Sequence, residues 1–138
     1  MSKEGFNMVK KLAKQGDKEY QYYLGLSYYF GSDVKKNFKK AFSWFLKSAE
    51  QGYVEAMFKL GKCYMFGEGV QKDSYAAAIW FEKAAAQGVD KAQYCLGLCY
   101  YYGEGVRKDR VKGIVLFKKA ALQGHVQAAE FLTKIGVK

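Results

Sequence analysis

At 138 residues, half of them hydrophobic, the chain holds enough apolar material for one domain with a core. Fifteen glycines and no proline exclude a Pro-rich linker and fit helices joined by Gly-marked turns. The net charge is +10 from 23 Lys and Arg, yet only Arg107 and Arg110 are arginines. Arg forks usually read bases and phosphates, so the charge argues for a solvated Lys-rich surface rather than a nucleic-acid site.

In chain order, the segment Met1 to Gln15 is Lys-rich and has no apolar signal core. No stretch approaches the ~18 apolar residues of a membrane span, so the expectation is a cytoplasmic protein with no membrane association. Lys3 to Gln15 reads as a single helix ending at Gln15-Gly16. That dipeptide returns at Gln51-Gly52, Gln87-Gly88 and Gln123-Gly124, each 36 residues after the last. The same step links Leu24, Leu60, Leu96 and Leu132; Gly25, Gly61 and Gly97; and Tyr28, Tyr64 and Tyr100. It links Trp44 with Trp80, and Phe45 with Phe81 and Phe117. So many coincidences at one offset mark an internal repeat.

Each unit reads as two helices. In the third, Val89 to Tyr102 carries Ala92, Leu96 and Tyr100 four apart, a helical stripe. Gly103-Glu104-Gly105-Val106 breaks it, and Asp109 is a suitable N-cap for the next helix, as are Asp73 and Asn37 in earlier units. The second helix then turns Phe117, Ala120 and Ala121 inward. Gly25, Gly61 and Gly97 lie inside first helices, where Gly costs ~1 kcal/mol against Ala. The expectation is that a neighbouring backbone needs the space. Ser32-Asp33 replaces the Glu-Gly of later loops, which predicts a different turn there.

The runs Ala92 to Tyr100, Gly103 to Asp109 and Ala77 to Gly88 resemble the Sel-one-like repeat, a relative of tetratricopeptide repeats. The resemblance covers nearly the whole chain. It implies an all-α, right-handed α/α superhelix of about three and a half 36-residue helix-turn-helix repeats. The expected organisation is one repeat domain over 1–138. It comprises an N-terminal half-repeat 1–16, repeats 17–52, 53–88 and 89–124, and a capping helix 125–138. The resemblance further implies an adaptor or scaffold role. A secreted, cysteine-rich bacterial branch, linked to β-lactam binding and hydrolysis, pairs cysteines between the helices of each unit. The matching region here holds Ala49, Ala56, Ala85 and Ala92, which does not support that branch.

Candidate chemistry is sparse. Ser32-Asp33-Val34-Lys35 matches the S-x-x-K of serine β-lactamases, but it falls in a loop and lacks partner motifs. Cys63, Cys95 and Cys99 read as buried thiols, and His125, the single histidine, as a capping or surface residue. No cofactor or metal site is expected.

Binding faces are better candidates. With Leu24 inward, Tyr22, Leu26 and Tyr29 point away, as do Phe58, Lys62 and Met65 in unit two and Tyr94, Leu98 and Tyr101 in unit three. By resemblance to tetratricopeptide arrays these line a concave, aromatic groove for a peptide or partner helix. The competing reading is that curvature buries the rings. On the outer face, Tyr75, Ile79, Val111 and Val115 form an apolar patch, the second candidate contact face, for a homodimer. The expected function is therefore a protein-interaction scaffold. A β-lactam-binding or hydrolysing protein and a basic nucleic-acid binder are the alternatives.

Overall fold

Eight α-helices follow from those signals in the computed structural model, which describes residues 2–138; Met1, the first residue of the expected half-repeat, lies outside the described residues. No strand occurs among the described residues. The chain divides into two compact units, 1–72 and 73–138.

The first unit holds α1 (Lys3–Lys14), α2 (Lys18–Phe30), α3 (Phe38–Glu50) and α4 (Val54–Phe66). Side chains start most of them. The Asp17 carboxylate accepts from the N–H groups of Glu19 and Tyr20, and Asn37 from that of Lys40. These bonds satisfy donors that a helix start leaves open. Gly31 and Gly67 end α2 and α4 in the left-handed conformation, a backbone that Gly adopts at no steric cost. Leu24, Ala41 and Phe45 are fully buried between α2 and α3, and α1 lays Phe6, Val9 and Ala13 onto the same core.

The second unit repeats the pattern with α5 (Ser74–Ala86), α6 (Asp90–Tyr102), α7 (Arg110–Leu122) and α8 (Val126–Lys134). Asp73 and Asp109 cap α5 and α7, and Gly103 ends α6. Phe81, Leu96, Phe117 and Ala120 form its core.

The Gln-Gly recurrence has a structural cause in each unit. The Gln51 amide donates to the Gly16 carbonyl and to the Gln21 side chain, both at 2.8 Å. The Gln123 amide does the same to Gly88 and Gln93, at 3.0 and 2.9 Å. One glutamine thus ties the end of its helix to the turn one repeat earlier.

Two expectations change. The space beside Gly25 is taken by an aromatic ring rather than by backbone, and that beside Gly97 by a ring together with the Gly113 carbonyl. A Cβ at Gly25 would stand 2.6 Å from the Phe45 ring, and one at Gly97 2.6 Å from the Phe117 ring. The Ser32-Asp33 loop also does not turn differently. Asp33 takes φ +66°, beside +78° at Gly69 and +74° at Gly105. Asp is among the few side chains that tolerate this region.

Candidate partner-binding surfaces

On the first-helix face of the first unit, Tyr22, Leu26, Tyr29, Phe58, Lys62 and Met65 are all half-buried. Tyr22 packs its ring 5.2 Å from Tyr53 and 5.9 Å from Phe45. Tyr29 packs against Phe38 at 5.1 Å, and its hydroxyl donates to the Glu68 carboxylate at 2.9 Å. Burial and that carboxylate push the Tyr29 phenol up to about 12. In the second unit Tyr94, Leu98 and Tyr101 are half-buried too. Tyr94 packs at a tilt against His125 at 4.7 Å, and Tyr101 sits 5.3 Å from Phe131 under the Arg110 guanidinium. These rings are therefore partly committed to packing within their own unit.

The freer aromatics are those that sequence reasoning passed over. Phe30, Phe66 and Tyr102 close the three first helices and are 62, 66 and 61 % exposed. Each precedes the left-handed Gly that ends its helix, and they stand at the 36-residue step. That shared register was the signal that could have found them. In the first unit, the Lys59 ammonium stands 5.3 Å from the Tyr29 ring and 5.5 Å from Phe30, which gives this aromatic edge a positive flank.

The outer apolar patch lies in the second unit. Tyr75, Ile79, Val111 and Val115 are 68, 40, 75 and 46 % exposed. Tyr75 and Ile79 border a groove of about 320 Å³ that Ala78 floors and Tyr100, Gly105 and Val106 close. The Lys112 ammonium lies 4.5 Å from the Tyr100 ring.

The remaining candidates resolve into structural roles. Ser32 and Lys35 occupy the non-helical loop between α2 and α3, so they are not stacked one helical turn apart. His125 caps α8 through Nδ1, which accepts from the Ala128 N–H at 3.1 Å. Cys63 and Cys99 are buried thiols pushed up to about 12 by burial, and Cys95 is half-buried. Thiols so disfavoured as thiolates behave as small core residues. Ala49, Ala56 and Ala92 fill buried positions where helices meet. Among the described residues, no group of three or more His, Cys, Asp or Glu side chains is arranged to hold a metal ion. No helix there is long and apolar enough to cross a membrane.

Comparison with known proteins accords with this geometry. Among curated proteins none gives a significant match. Among solved structures, the chain is similar to a protective antigen present in uropathogenic Escherichia coli strains that displays an SLR fold. The two are 40% identical with a TM-score of 0.83 over 86% of this chain, which spans only 26% of that one. A Sel1 repeat protein from Oxalobacter formigenes is 38% identical, with a TM-score of 0.82 over 91% of this chain and 95% of the other. Helicobacter pylori cysteine-rich protein B is 25% identical, with a TM-score of 0.74 over 96% and 98% of the two chains. The Sel1 repeat pattern itself matches residues 18–53, 54–89 and 90–125, most of the sequence, and the chain belongs to the Sel1 repeat family.

Proposed function

We propose that this chain is a protein-interaction scaffold that receives a partner segment on its first-helix face. Sel1 repeat proteins are generally scaffolds that bind other proteins. The observation that carries the reading is the exposure of Phe30, Phe66 and Tyr102 at helix ends, with Phe30 and Tyr102 packed edge-on against half-buried Tyr29 and Tyr101. Exposed aromatics on a rigid base are efficient anchors, because they offer large contact area at low ordering cost. In the first unit Tyr22, Leu26, Tyr29, Phe58, Lys62 and Met65 line the first-helix face, and in the second unit Tyr94, Leu98 and Tyr101 do.

The test compares proteins captured by wild type with those captured by the triple variant Phe30→Ala, Phe66→Ala, Tyr102→Ala. Loss of specific partners with an unchanged circular dichroism spectrum supports the reading. An identical set at identical yield rejects it.

The exposure of Tyr75, Ile79, Val111 and Val115 supports a second reading, a homodimer through the outer face. Sedimentation of wild type and Ile79→Glu decides it, since a monomeric wild type removes the idea. The β-lactam and nucleic-acid readings gain no such support: Ser32 lies in a loop, and Arg110 is engaged with Tyr101.

A further inference from the structure

The two units differ at one seat on the second-helix side, and the difference has a shape. In the first unit, Phe42 on α3 packs edge-on against Tyr64 of α4, with ring centroids 5.3 Å apart. The positions 36 residues later in the second unit are Ala78 on α5 and Tyr100 on α6. The tyrosine is kept and the phenyl ring is gone. The groove of about 320 Å³ over Ala78 lies where that ring would be.

The rim changes as well. Lys39 and Ser43, on the α3 face around Phe42, correspond to Tyr75 and Ile79. At a third rim position the change is the reverse, Leu46 to Glu82, so the open seat gains two apolar neighbours and one carboxylate. Solvent exposure alone favours the opposite, since Tyr75 and Ile79 leave apolar area in water. The charge around the groove is mixed. Lys83 and Glu82 line it, and Lys112 stands over Tyr100 with Glu82 and Asp109 as its acidic neighbours.

From this we infer that the groove between α5 and Tyr100 is a docking site for an aromatic side chain of a partner polypeptide, presented next to an acidic residue. The Phe42–Tyr64 pair shows what the seat accepts: one phenyl ring, edge-on to the tyrosine. Ala78 keeps the floor low enough for a ring to enter, and Tyr75 and Ile79 close over its sides. Lys83 and Lys112 meet the flanking carboxylate of the partner. The site lies on a different face from the first-helix surface and stands or falls independently of it.

The experiment selects random dodecapeptides displayed on phage against the whole chain, then measures each enriched peptide by fluorescence polarisation. The expected peptides carry Phe, Tyr or Trp beside Asp or Glu. Two variants borrow residues from the first unit. Ala78→Phe refills the seat, and the double variant Tyr75→Lys, Ile79→Ser restores the polar rim at exposed positions that folding does not depend on. Each should weaken binding by about tenfold or more, the scale of one lost apolar contact in a shaped pocket. Lys11→Ala, exposed on α1 and outside both proposed surfaces, should leave the affinity unchanged.

A smaller loss in the double variant overturns the proposal, as does enrichment of peptides without an aromatic, or no enrichment. A wild type that dimerises and becomes monomeric with Ala78→Phe, with no peptide selected, overturns it in favour of a second copy of this chain.

Discussion

Replacing Gly97 by Ala sets two sizeable effects against each other. On helix propensity alone, Ala in the middle of α6 is worth roughly 1 kcal/mol over Gly. The new Cβ, however, would lie 2.6 and 2.7 Å from two carbons of the Phe117 ring and 3.2 Å from the Gly113 carbonyl oxygen. Ordinary carbon–carbon contact begins near ~3.5 Å. The ring cannot swing away, because Phe117 is fully buried and boxed by Tyr94, Tyr101 and Phe131 at 5.8, 6.1 and 4.7 Å. Overpacking of this kind costs about 1–3 kcal/mol, and a trapped ring belongs at the upper end. Gly97→Ala should therefore destabilise by about 1–2 kcal/mol net, read as a lower urea midpoint by far-UV circular dichroism. A cycle with Phe117→Leu isolates the cause. With the ring removed, Gly97→Ala should lose most of its cost, a coupling of about 1 kcal/mol or more. An unchanged or raised midpoint for Gly97→Ala, or no coupling to Phe117, refutes the reasoning.

At the loop position shared by Asp33 and Gly105 the same φ sign gives opposite outcomes. Asp33→Gly should stabilise by up to about 1 kcal/mol by relieving a left-handed non-Gly backbone. Gly105→Ala should cost roughly 3 kcal/mol or more, because its Cβ meets the Ser74 carbonyl as well as the φ penalty. Chemical denaturation reads both. Asp109→Ala removes the acceptor for the Lys112 N–H and should cost about 1 kcal/mol by the same assay. Alkaline pH should also weaken the fold. Cys63 and Cys99 rise from 9.0 to about 12 on folding and Tyr29 from 10.0 to about 12, so the folded state holds their protons longer. Their contribution is complete below pH 9 and is lost as pH rises towards 12. A urea midpoint that stays level across that interval would contradict it.

The repeat made most of the architecture legible, because the boundaries of α2 to α7 recur with it. Asn37, Asp73 and Asp109 cap as their residue types and positions require, and Gly31, Gly67 and Gly103 stop first helices as turn chemistry expects. The surfaces were harder. A helical wheel shows which side of α2 opposes Leu24, but not that Tyr53 and Phe38 arrive to cover Tyr22 and Tyr29. Those partners come from other helices, so their cover is a tertiary fact. Sequence shows that the helix Gly positions are crowded but not by what: at Gly25 it is the Phe45 ring, and at Gly97 the Phe117 ring together with the Gly113 carbonyl, all from the following helix. Phe30, Phe66 and Tyr102 escaped because attention to the inward stripe leaves the last residue of each helix uncounted.

The repeat also shows which residues the fold does not require, and Ala78 is the sharpest case. Its counterpart Phe42 proves that the seat can hold a ring against a tyrosine. Filling the groove in the second unit should therefore add stability. A buried Phe side chain is worth about 1.5–3 kcal/mol over an exposed one, and an edge-on partner adds roughly 0.5–1.5 kcal/mol. Against that stand about 0.5 kcal/mol of helix propensity lost from Ala and the incomplete cover of a groove open on one side. The balance predicts that Ala78→Phe raises stability by about 1 kcal/mol, seen as a higher urea midpoint with an unchanged helical spectrum. A lowered midpoint would mean that Tyr100 has closed over Ala78 and that the groove is no seat for a ring. A raised midpoint together with lost peptide binding would separate the two demands on this position. The fold alone would prefer the ring, and the alanine then keeps the seat open for a partner.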